Sequence, residues 1–407
     1  MKVLQINCVY KTGSTGKITC DIHRALQDRG IESVVCYGRG EKIKEPHVYK
    51  CCGELYSHLN KVLSFISGVL YGGCFFSTNR LIRIIKKEKP DVVHLQCING
   101  YFVNVYRLLR WLKKHKISTV LTLHAEFMYT GGCGHALDCN QWELDTGCRG
   151  AKCPRLKEEK WAFVNRVGTM WKRMKMAVEG FGDRLTVTSV SPWLMDRAKR
   201  SRILSGFDHR VVLNGLETSV FHSYQTDNLR KRHGLSTEKI IFYVTPTFSL
   251  DPTHIKGGHF VVELAKQLSG KDIKILVAGS YEQGIEVPDN IVLLGRISDQ
   301  TTLAKYYSMA DLTLLTSKRE TFSMIVAESL CCGTPVVGFK AGGPETIAIP
   351  NYCFFSESGS IADLKKSIEE CLQIKKDKGI ESESRNVYSK ERMVDDYLRI
   401  YERSLLR

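Results

Sequence analysis

The sequence predicts an α/β protein of two doubly wound domains, and three observations lead to that prediction. The chain of 407 residues is long enough for two domains, each with its own core. Short β-branched strands alternate with helical segments, a rhythm typical of parallel sheets built from βαβ units. The rhythm restarts after about residue 208. In such folds, ligands bind outside the carboxyl ends of the strands.

The first domain, residues 1–208, begins with an apolar strand at Lys2–Cys8 and a turn-rich loop at Gly13–Gly16. A helix follows at Lys17–Arg29, where Gly30 ends it. Further strands are predicted at Ile31–Tyr37, Asp91–Leu95, Ser118–His124 and Thr186–Val190, and further helices at Arg80–Lys89 and Tyr106–His115.

The second domain, residues 209–388, repeats this alternation. Strands are predicted at Val211–Leu213, Ile240–Val244, Ile273–Ala278, Ile291–Leu294, Leu312–Leu315 and Pro335–Gly338. Helices are predicted at Gly258–Leu268, Thr301–Ser308, Ser323–Cys332 and Ile361–Lys376. The charged, amphipathic segment 389–407 is predicted to form a helix that packs back on the N-terminal domain.

The chain is strongly basic, with 59 Lys+Arg against 43 Asp+Glu and a net charge of +16. Nucleic acid, an anionic membrane face or a phosphorylated substrate could each account for this charge. Basic residues are densest between Arg149 and Arg202, where Trp161, Trp171 and several methionines interleave with them. This pattern suits either a solvated helix face or attachment to an anionic bilayer. No RNA-binding sheet signature is present, so no nucleic-acid partner is expected.

The segment Val62–Asn79 carries no charge, but glycine and serine interrupt it too often for a spanning helix. It is compatible with a buried helix followed by a loop, or with a surface that enters a membrane interface or lines a lipid-acceptor groove. The N-terminus reads as a β-strand rather than a secretion signal, and cysteines are scattered along the chain. We therefore expect a cytoplasmic protein, either in solution or peripheral on the inner face of the cell membrane.

The strongest local motif pairs Glu320 with Glu328 across a strand end, a short loop and a helix that begins near Ser323. A helix N-terminus offers unsatisfied N–H groups and a positive dipole end, which suit a diphosphate. Glu328 would then reach a ribose hydroxyl pair. Taken alone, both glutamates could also be ordinary charges at the start and on the surface of a helix.

Together with other motifs, this block resembles the family 4 glycosyltransferases, which have the GT-B fold. The resemblance covers almost the whole chain in the expected order. It rests on Glu320–Glu328 with the trailing Cys332–Val337, Ala341–Glu345, Asn214–Glu217, Lys256-Gly257, the Gly13–Gly16 loop and Leu123-His124. Thr130–Cys133 further resembles the subset of the family that makes capsules and exopolysaccharides.

The resemblance implies a retaining transferase that needs no metal for catalysis. It would move a sugar from a UDP- or GDP-sugar to a hydroxyl of a glycan acceptor, a lipid-linked one, in bacterial surface-polysaccharide synthesis. Lys256 would grip the donor diphosphate and Glu328 the ribose. Glu320 would lie near the transferred sugar, and His124 would approach that sugar and the acceptor.

The remaining site residues also follow from the resemblance. The family usually carries an arginine a few residues before the lysine, and this chain has none there, so Arg319 or His254 would supply a second positive charge, or Lys256 and backbone alone would hold the diphosphate. The other donor-side residues are Ser323, Met324, Ile325, Asn214 and Gly215, and the acceptor-side residues are Gly13, Ser14, Thr15, Gly16, His94 and Asn99.

Four cysteines, Cys133, Cys139, Cys148 and Cys153, lie within a glycine-rich loop at 131–154. They could form a structural zinc site, redox-active or disulfide pairs, or unligated thiols. Two other functions also remain open at this point: a nucleotide-sugar epimerase or hydrolase of the same fold, and a nucleic-acid binder suggested only by the charge.

Overall fold

The computed structural model describes residues 1–149, 153, 156, 162–374, 376 and 378–406, and the chain divides into two compact units. The first unit comprises Met1–Leu213 and Met393–Arg407, and the second comprises Asn214–Arg392. The boundary thus lies after Leu213 rather than after residue 208. The strand predicted at Val211–Leu213 was assigned to the wrong domain, because the observed strand, Asp208–Val211, pairs in parallel with the preceding strand of the first unit.

In the described part of the first unit, seven parallel strands form one sheet in the order β3-β2-β1-β4-β5-β6-β7. The strands are β1 (Lys2–Asn7), β2 (Glu32–Tyr37), β3 (Val48–Lys50), β4 (Val92–Leu95), β5 (Ser118–Leu123), β6 (Leu185–Ser189) and β7 (Asp208–Val211). The helices are α1 (Gly13–Asp28), α2 (Glu54–Ser67), α3 (Phe75–Glu88), α4 (Val105–Lys114), α5 (Val167–Val178) and α6 (Pro192–Arg200).

The second unit holds six parallel strands among its described residues, in the order β10-β9-β8-β11-β12-β13. The strands are β8 (Lys239–Phe248), β9 (Ile273–Tyr281), β10 (Ile291–Gly295), β11 (Leu312–Leu315), β12 (Val336–Phe339) and β13 (Cys353–Ser356). The helices are α7 (Asp227–Arg232), α8 (Gly258–Gln267), α9 (Gln300–Met309), α10 (Met324–Cys331), α11 (Gly343–Ile347), α12 (Ile361–Cys371) and α13 (Lys378–Tyr388). The two doubly wound sheets confirm the predicted α/β class.

The last helix, α14 (Lys390–Leu405), contributes its apolar face to the core of the first unit. Met393, Tyr397 and Tyr401 pack there with residues of β1 and α1. The two tyrosine hydroxyls are fully buried and enter the hydrogen-bond network of the first sheet, so the helix is fixed by polar as well as apolar contacts.

The structure corrects one local prediction and decides between the alternatives of another. The predicted loop Gly13–Gly16 forms the first turn of α1, which begins at Gly13, and the backbone enters this turn through the positive φ of 65° at Gly13. The uncharged segment Val62–Asn79 spans the end of α2 and the start of α3, and the apolar side chains of that part of α2 are exposed rather than buried. Of the helices within the described residues, none has both the length and the apolar character needed to cross a membrane.

Candidate active site

A charged pair marks the carboxyl edge of the second sheet. Lys256 follows β8 and Glu320 follows β11, and these two strands are hydrogen-bonded neighbours. The Lys256 Nζ lies 2.5 Å from the Glu320 Oε1, and both side chains are largely buried. The sheet therefore brings together two residues that are 64 positions apart in the sequence.

The loop that carries Lys256 is held by its backbone. The Tyr243 hydroxyl donates to the Lys256 carbonyl at 2.7 Å, and the Thr316 hydroxyl donates to the same carbonyl at 3.0 Å. Gly257 has a φ of 66°, and a Cβ there would lie 2.3 Å from the Thr316 carbonyl oxygen. The Lys-Gly motif thus needs glycine for this close approach, which leaves the Lys256 side chain directed by a rigid backbone.

Glu320 is held by a second glycine-rich turn. Its N–H donates to the Ala341 carbonyl at 3.0 Å, and its carbonyl accepts from the Gly343 N–H at 2.9 Å. A Cβ on Gly343 would lie 2.4 Å from the Thr321 carbonyl. The Glu345 carboxylate accepts the Gly342 N–H at 2.8 Å and closes the turn. The motif at 341–345 therefore supports the Glu320 backbone from the neighbouring strand end.

Helix α10 begins beside this pair. Ser323 precedes its first residue with a φ of 79°, a rare conformation for a residue other than glycine. Its Oγ is buried and makes no hydrogen bond within the described part of the chain. Met324 and Ile325, half-buried, open the helix. A strained start with a buried hydroxyl and unsatisfied N–H groups is well suited to bind an anion.

Glu328 lies one turn further along α10 and accepts a hydrogen bond from the buried Tyr307 hydroxyl at 2.9 Å. Burial and the Glu328 carboxylate raise the pKa of Tyr307 well above its ordinary value, so this tyrosine stays a donor. Arg319 and His254, the candidates for the second positive charge, are both half-buried at the same sheet edge. The Lys318 N–H donates to the Ile255 carbonyl at 2.8 Å and joins their two loops.

The turn at 214–217 packs against Ser389 and Lys390, where α14 begins. A Cβ on Gly215 would lie 2.6 Å from the Lys390 Cα, and Leu216 forms a bridge with Ser389. Asn214 is buried. This close contact explains why position 215 is a glycine without any role in donor binding. Donor binding by Asn214 and Gly215 stays a prediction.

At the carboxyl edge of the first sheet, His124 follows β5 and its Nε2 lies 3.3 Å from the Gln96 Oε1. The Gln96 amide donates to the Gln5 Oε1 at 2.8 Å, and the Gln5 amide donates to the Thr19 carbonyl at 3.2 Å. Burial lowers the pKa of His124 to about 4, so the imidazole is neutral near pH 7. Sequence analysis missed both glutamines, because only the strand register brings them beside His124.

Other residues predicted for the acceptor side lie at the same edge. The Cys97 thiol donates to the Asn99 Oδ1 at 2.9 Å and is also hydrogen-bonded with Thr15. Burial raises the pKa of Cys97 to about 11, so the thiol is neutral. Gly13 and Ser14 are exposed, whereas Gly16 is buried against the preceding loop. Cys97 thus lies between Asn99 and Thr15, which belongs to the first turn of α1.

His94 does not belong to this surface. It is fully buried, with Nδ1 2.7 Å from the Tyr401 hydroxyl and Nε2 2.7 Å from the Thr122 Oγ1. The prediction that it lines an acceptor site is corrected, because both ring nitrogens are used inside the core. Its position at the end of β4 indicated the sheet edge, but the side chain points inward against α14.

The loop after β5 is anchored by a buried ion pair that sequence analysis did not single out. The Arg197 Nε lies 2.6 Å from the Glu126 Oε1, and the other Glu126 oxygen accepts the Ala136 N–H at 2.7 Å. The guanidinium stacks over Trp142 at 4.7 Å. These contacts hold the start of the cysteine-rich loop against α6.

Within that loop, Cys133 and Cys148 are buried, and Cys139 and Cys153 are half-buried. Over the described ranges, no group of three or more His, Cys, Asp or Glu side chains is placed to hold a metal ion. Zinc binding by the four cysteines stays a prediction. Of the predicted basic segment, Lys152, Arg155, Lys157, Lys160 and Trp161 lie outside the described residues.

Two family profiles match the chain. The profile described as Glycosyltransferase Family 4 matches residues 15–220, and that of Glycosyl transferases group 1 matches residues 225–391. The putative colanic acid biosynthesis glycosyl transferase WcaC of Escherichia coli K12 is 21% identical and covers 99% of this chain and 100% of its own length.

Solved structures are similar over the same span. Anabaena HepE, solved in complex with UDP, has a TM-score of 0.68 at 15% identity and covers 99% of this chain and 100% of its own. The sucrose-phosphate synthase of Thermosynechococcus elongatus has a TM-score of 0.67 at 14% identity, and 99% of each chain is covered. At these identities the likeness concerns the fold.

Proposed function

Because the chain belongs to glycosyltransferase family 4, of the exopolysaccharide type and with the GT-B fold, we propose that it is a retaining transferase that uses a nucleoside-diphosphate sugar. The acceptor we propose is a hydroxyl of a lipid-linked glycan, in the synthesis of a bacterial surface polysaccharide. The likeness to a colanic acid protein over the whole chain supports this setting.

The single observation that carries the proposal is the Lys256–Glu320 pair beside the start of α10. When the bond to the sugar breaks, negative charge develops on the departing diphosphate. The Lys256 ammonium and the N–H groups at Ser323–Ile325 would stabilise that charge, so we propose no metal for this step. Glu328 would bind the ribose, with Tyr307 fixing its carboxylate.

The pair also suggests how donor binding prepares the site. With the diphosphate in place, the Lys256 ammonium would turn from Glu320 to the phosphates. The Glu320 carboxylate would then be available to the transferred sugar. On the acceptor side, the neutral His124 would exchange hydrogen bonds with sugar or acceptor hydroxyls without adding charge.

A donor screen tests this proposal. Purified protein is incubated with UDP- and GDP-sugars, with and without a lipid-pyrophosphate acceptor, and the released nucleoside diphosphate is measured. Release that depends on the acceptor, with retained anomeric configuration in the product, supports transfer. An altered free sugar nucleotide without acceptor would instead indicate an epimerase or hydrolase. Lys266→Ala, on the exposed side of α8, is the matched control for Lys256→Ala.

A further inference from the structure

Helix α2 in the first unit is amphipathic, but it turns polar side chains towards the core and apolar side chains towards solvent. A helix of a globular domain normally turns its apolar stripe towards the core. Here the side chains buried in α2 are Ser57, Asn60 and Ser64. The opposite face is apolar and more than half exposed, and Leu55 reaches 88% exposure; it consists of Leu55, Leu59, Val62, Leu63 and Ile66.

Specific hydrogen bonds hold the polar side inward. The Asn60 Oδ1 accepts the Cys74 N–H at 2.7 Å, and the Ser57 hydroxyl donates to the Gly100 carbonyl at 3.2 Å. A Cβ on Gly73 would lie 2.3 Å from the Asn60 Oδ1, so the next loop is fitted closely to this amide. The helix cannot rotate to bury its leucines without breaking these contacts, and the exposure of the apolar stripe is therefore built into the fold.

Aromatic side chains extend this stripe on both sides. Phe76, at the start of α3, is 78% exposed, and its ring lies 5.9 Å from that of Tyr56. Phe163 is 80% exposed, its N–H donates to the Phe65 carbonyl at 2.8 Å, and the two rings are 5.8 Å apart. We call the exposed apolar side chains of α2 together with Phe75, Phe76 and Phe163 the apolar face. Exposed apolar patches of this kind mark interaction sites.

The helices around the apolar face are strongly basic. Helices α2–α5 carry twelve lysines and arginines against two acidic residues. Of the two, Glu88 is buried and Glu54 is paired with Arg39. The basic residues are Lys61, Arg80, Arg83, Lys86, Lys87, Arg107, Arg110, Lys113, Lys114, Lys172, Arg173 and Lys175. Lysines and arginines around apolar and aromatic side chains are the composition that binds an anionic bilayer.

A groove joins the apolar and basic parts. It has a volume of about 380 Å³ and is lined by Phe75 and Met176 on the apolar side and by Arg110 and Arg173 on the basic side. Met176 is itself exposed. Two guanidinium groups beside apolar side chains can take a lipid phosphate while the acyl chains continue over the apolar face.

We propose that the apolar face docks the first unit on an anionic bilayer. Helix α2 would lie in the interface plane, with Leu55, Leu63 and Phe76 entering the acyl boundary and Arg110 and Arg173 binding lipid phosphates. The excess of positive charge on α2–α5 favours a lipid surface over a second copy of this chain, because a second copy would bring the same charges against it. This inference concerns where the chain binds, and it can fail while the transferase proposal stands.

Vesicle sedimentation without any sugar donor tests the apolar part. The full chain is expected to sediment with vesicles that contain phosphatidylglycerol and to remain in solution with pure phosphatidylcholine. The double variant Leu55→Glu, Leu63→Glu should lose at least about tenfold in vesicle affinity, because two carboxylates would enter the interface. Leu406→Glu is the matched control, since Leu406 is 89% exposed but lies outside the face, and it should bind like the wild type.

The basic part is tested by Arg110→Glu with Arg173→Glu, against Lys266→Glu in the second unit. The double variant should lose at least about tenfold in affinity for the anionic vesicles, and the control should not. Wild-type protein that ignores anionic vesicles, or equal binding by face variants and controls with unchanged melting temperatures, would overturn the proposal. So would a wild-type dimer that only the Leu55→Glu, Leu63→Glu variant dissociates, because the face would then bind a second copy.

Discussion

The candidate sites at the carboxyl edges of the two parallel sheets differ in their chemistry. At the first sheet the hydrogen-bonded chain is uncharged: it runs through amides from Gln5 and Gln96 to His124, whose pKa burial lowers to about 4. The edge of the second sheet is charged, with Lys256 and Glu320 paired at 2.5 Å beside a strained helix start. The same parallel topology therefore supports two kinds of site.

This difference shows that the strand ends set where each candidate site lies, whereas the loops after the strands supply its chemical groups. A departing diphosphate needs positive charge and oriented N–H groups. A hydroxyl acceptor needs partners that donate and accept without repelling it. In our proposal the second unit meets the first requirement and the first unit meets the second.

The largest effect is expected when the Lys256–Glu320 pair is removed. Glu320→Gln and Lys256→Ala should each lower kcat by at least about tenfold, because each removes electrostatic stabilisation from the charged edge. Released nucleoside diphosphate measures the rate, and circular dichroism checks that the fold is kept. Near-wild-type rates in both variants, with Lys266→Ala also unaffected, would remove the mechanism.

The buried hydrogen bonds of His94 in the first unit can be tested through stability. His94→Gln should cost about 1–3 kcal/mol at pH 7, since it disturbs the hydrogen bonds to Tyr401 and Thr122. Denaturant unfolding of the full chain measures this change. A cost near zero would mean that the buried histidine does not hold α14 to the sheet.

The same variant changes the dependence on pH. Burial lowers the pKa of His94 from 6.5 to about 3 in the folded chain. Between these values the unfolded chain binds a proton that the folded chain does not, so acid favours unfolding by up to about 1.4 kcal/mol per pH unit. His94→Gln should lose this contribution, and unfolding curves between pH 6.5 and 4 would show a shallower slope. His23 and His124, whose pKa values burial lowers to about 4, keep their own contributions in the variant.

A smaller effect is expected at Ser323, which precedes α10 with a positive φ. Ser323→Gly should raise stability by about 1 kcal/mol, because glycine tolerates the positive φ better than serine. It should also weaken nucleoside-diphosphate binding severalfold if the hydroxyl contacts the donor. Ser323→Ala removes the hydroxyl but keeps a Cβ at the strained position, so it separates the two effects in melting and titration calorimetry.

The smallest expected effect is at the ribose side. Tyr307→Phe removes the hydrogen bond to Glu328 and should raise the donor KM about threefold with little change in kcat, because the carboxylate loses its orientation but not its charge. Steady-state kinetics over a donor series check this. An unchanged KM would show that Glu328 needs no fixing by Tyr307.

Much of the charged edge could be predicted from the sequence. Lys256, Ser323 and Glu328 are recognisable because their motifs are local: a Lys-Gly turn, and a helix start with a glutamate one turn later. The chain of amides that leads to His124 in the first sheet was harder to predict. Gln5 and Gln96 lie 91 positions apart and belong to no motif. His94 was predicted as a site residue, but the sequence does not show that Tyr401 of α14 packs over it.

The sequence by itself determined the two doubly wound units, most of their strands and the family, because strand-helix alternation and short motifs are local properties; it did not predict β3 or β13. The tertiary structure decided which side chains meet at the sheet edges, and that β7 closes the first sheet rather than opening the second. It also decided that α2 turns its leucines outward. Composition could not show this, because the apolar period of a helix is the same whichever face is buried; the hydrogen bonds of Asn60 and Ser57 choose the face.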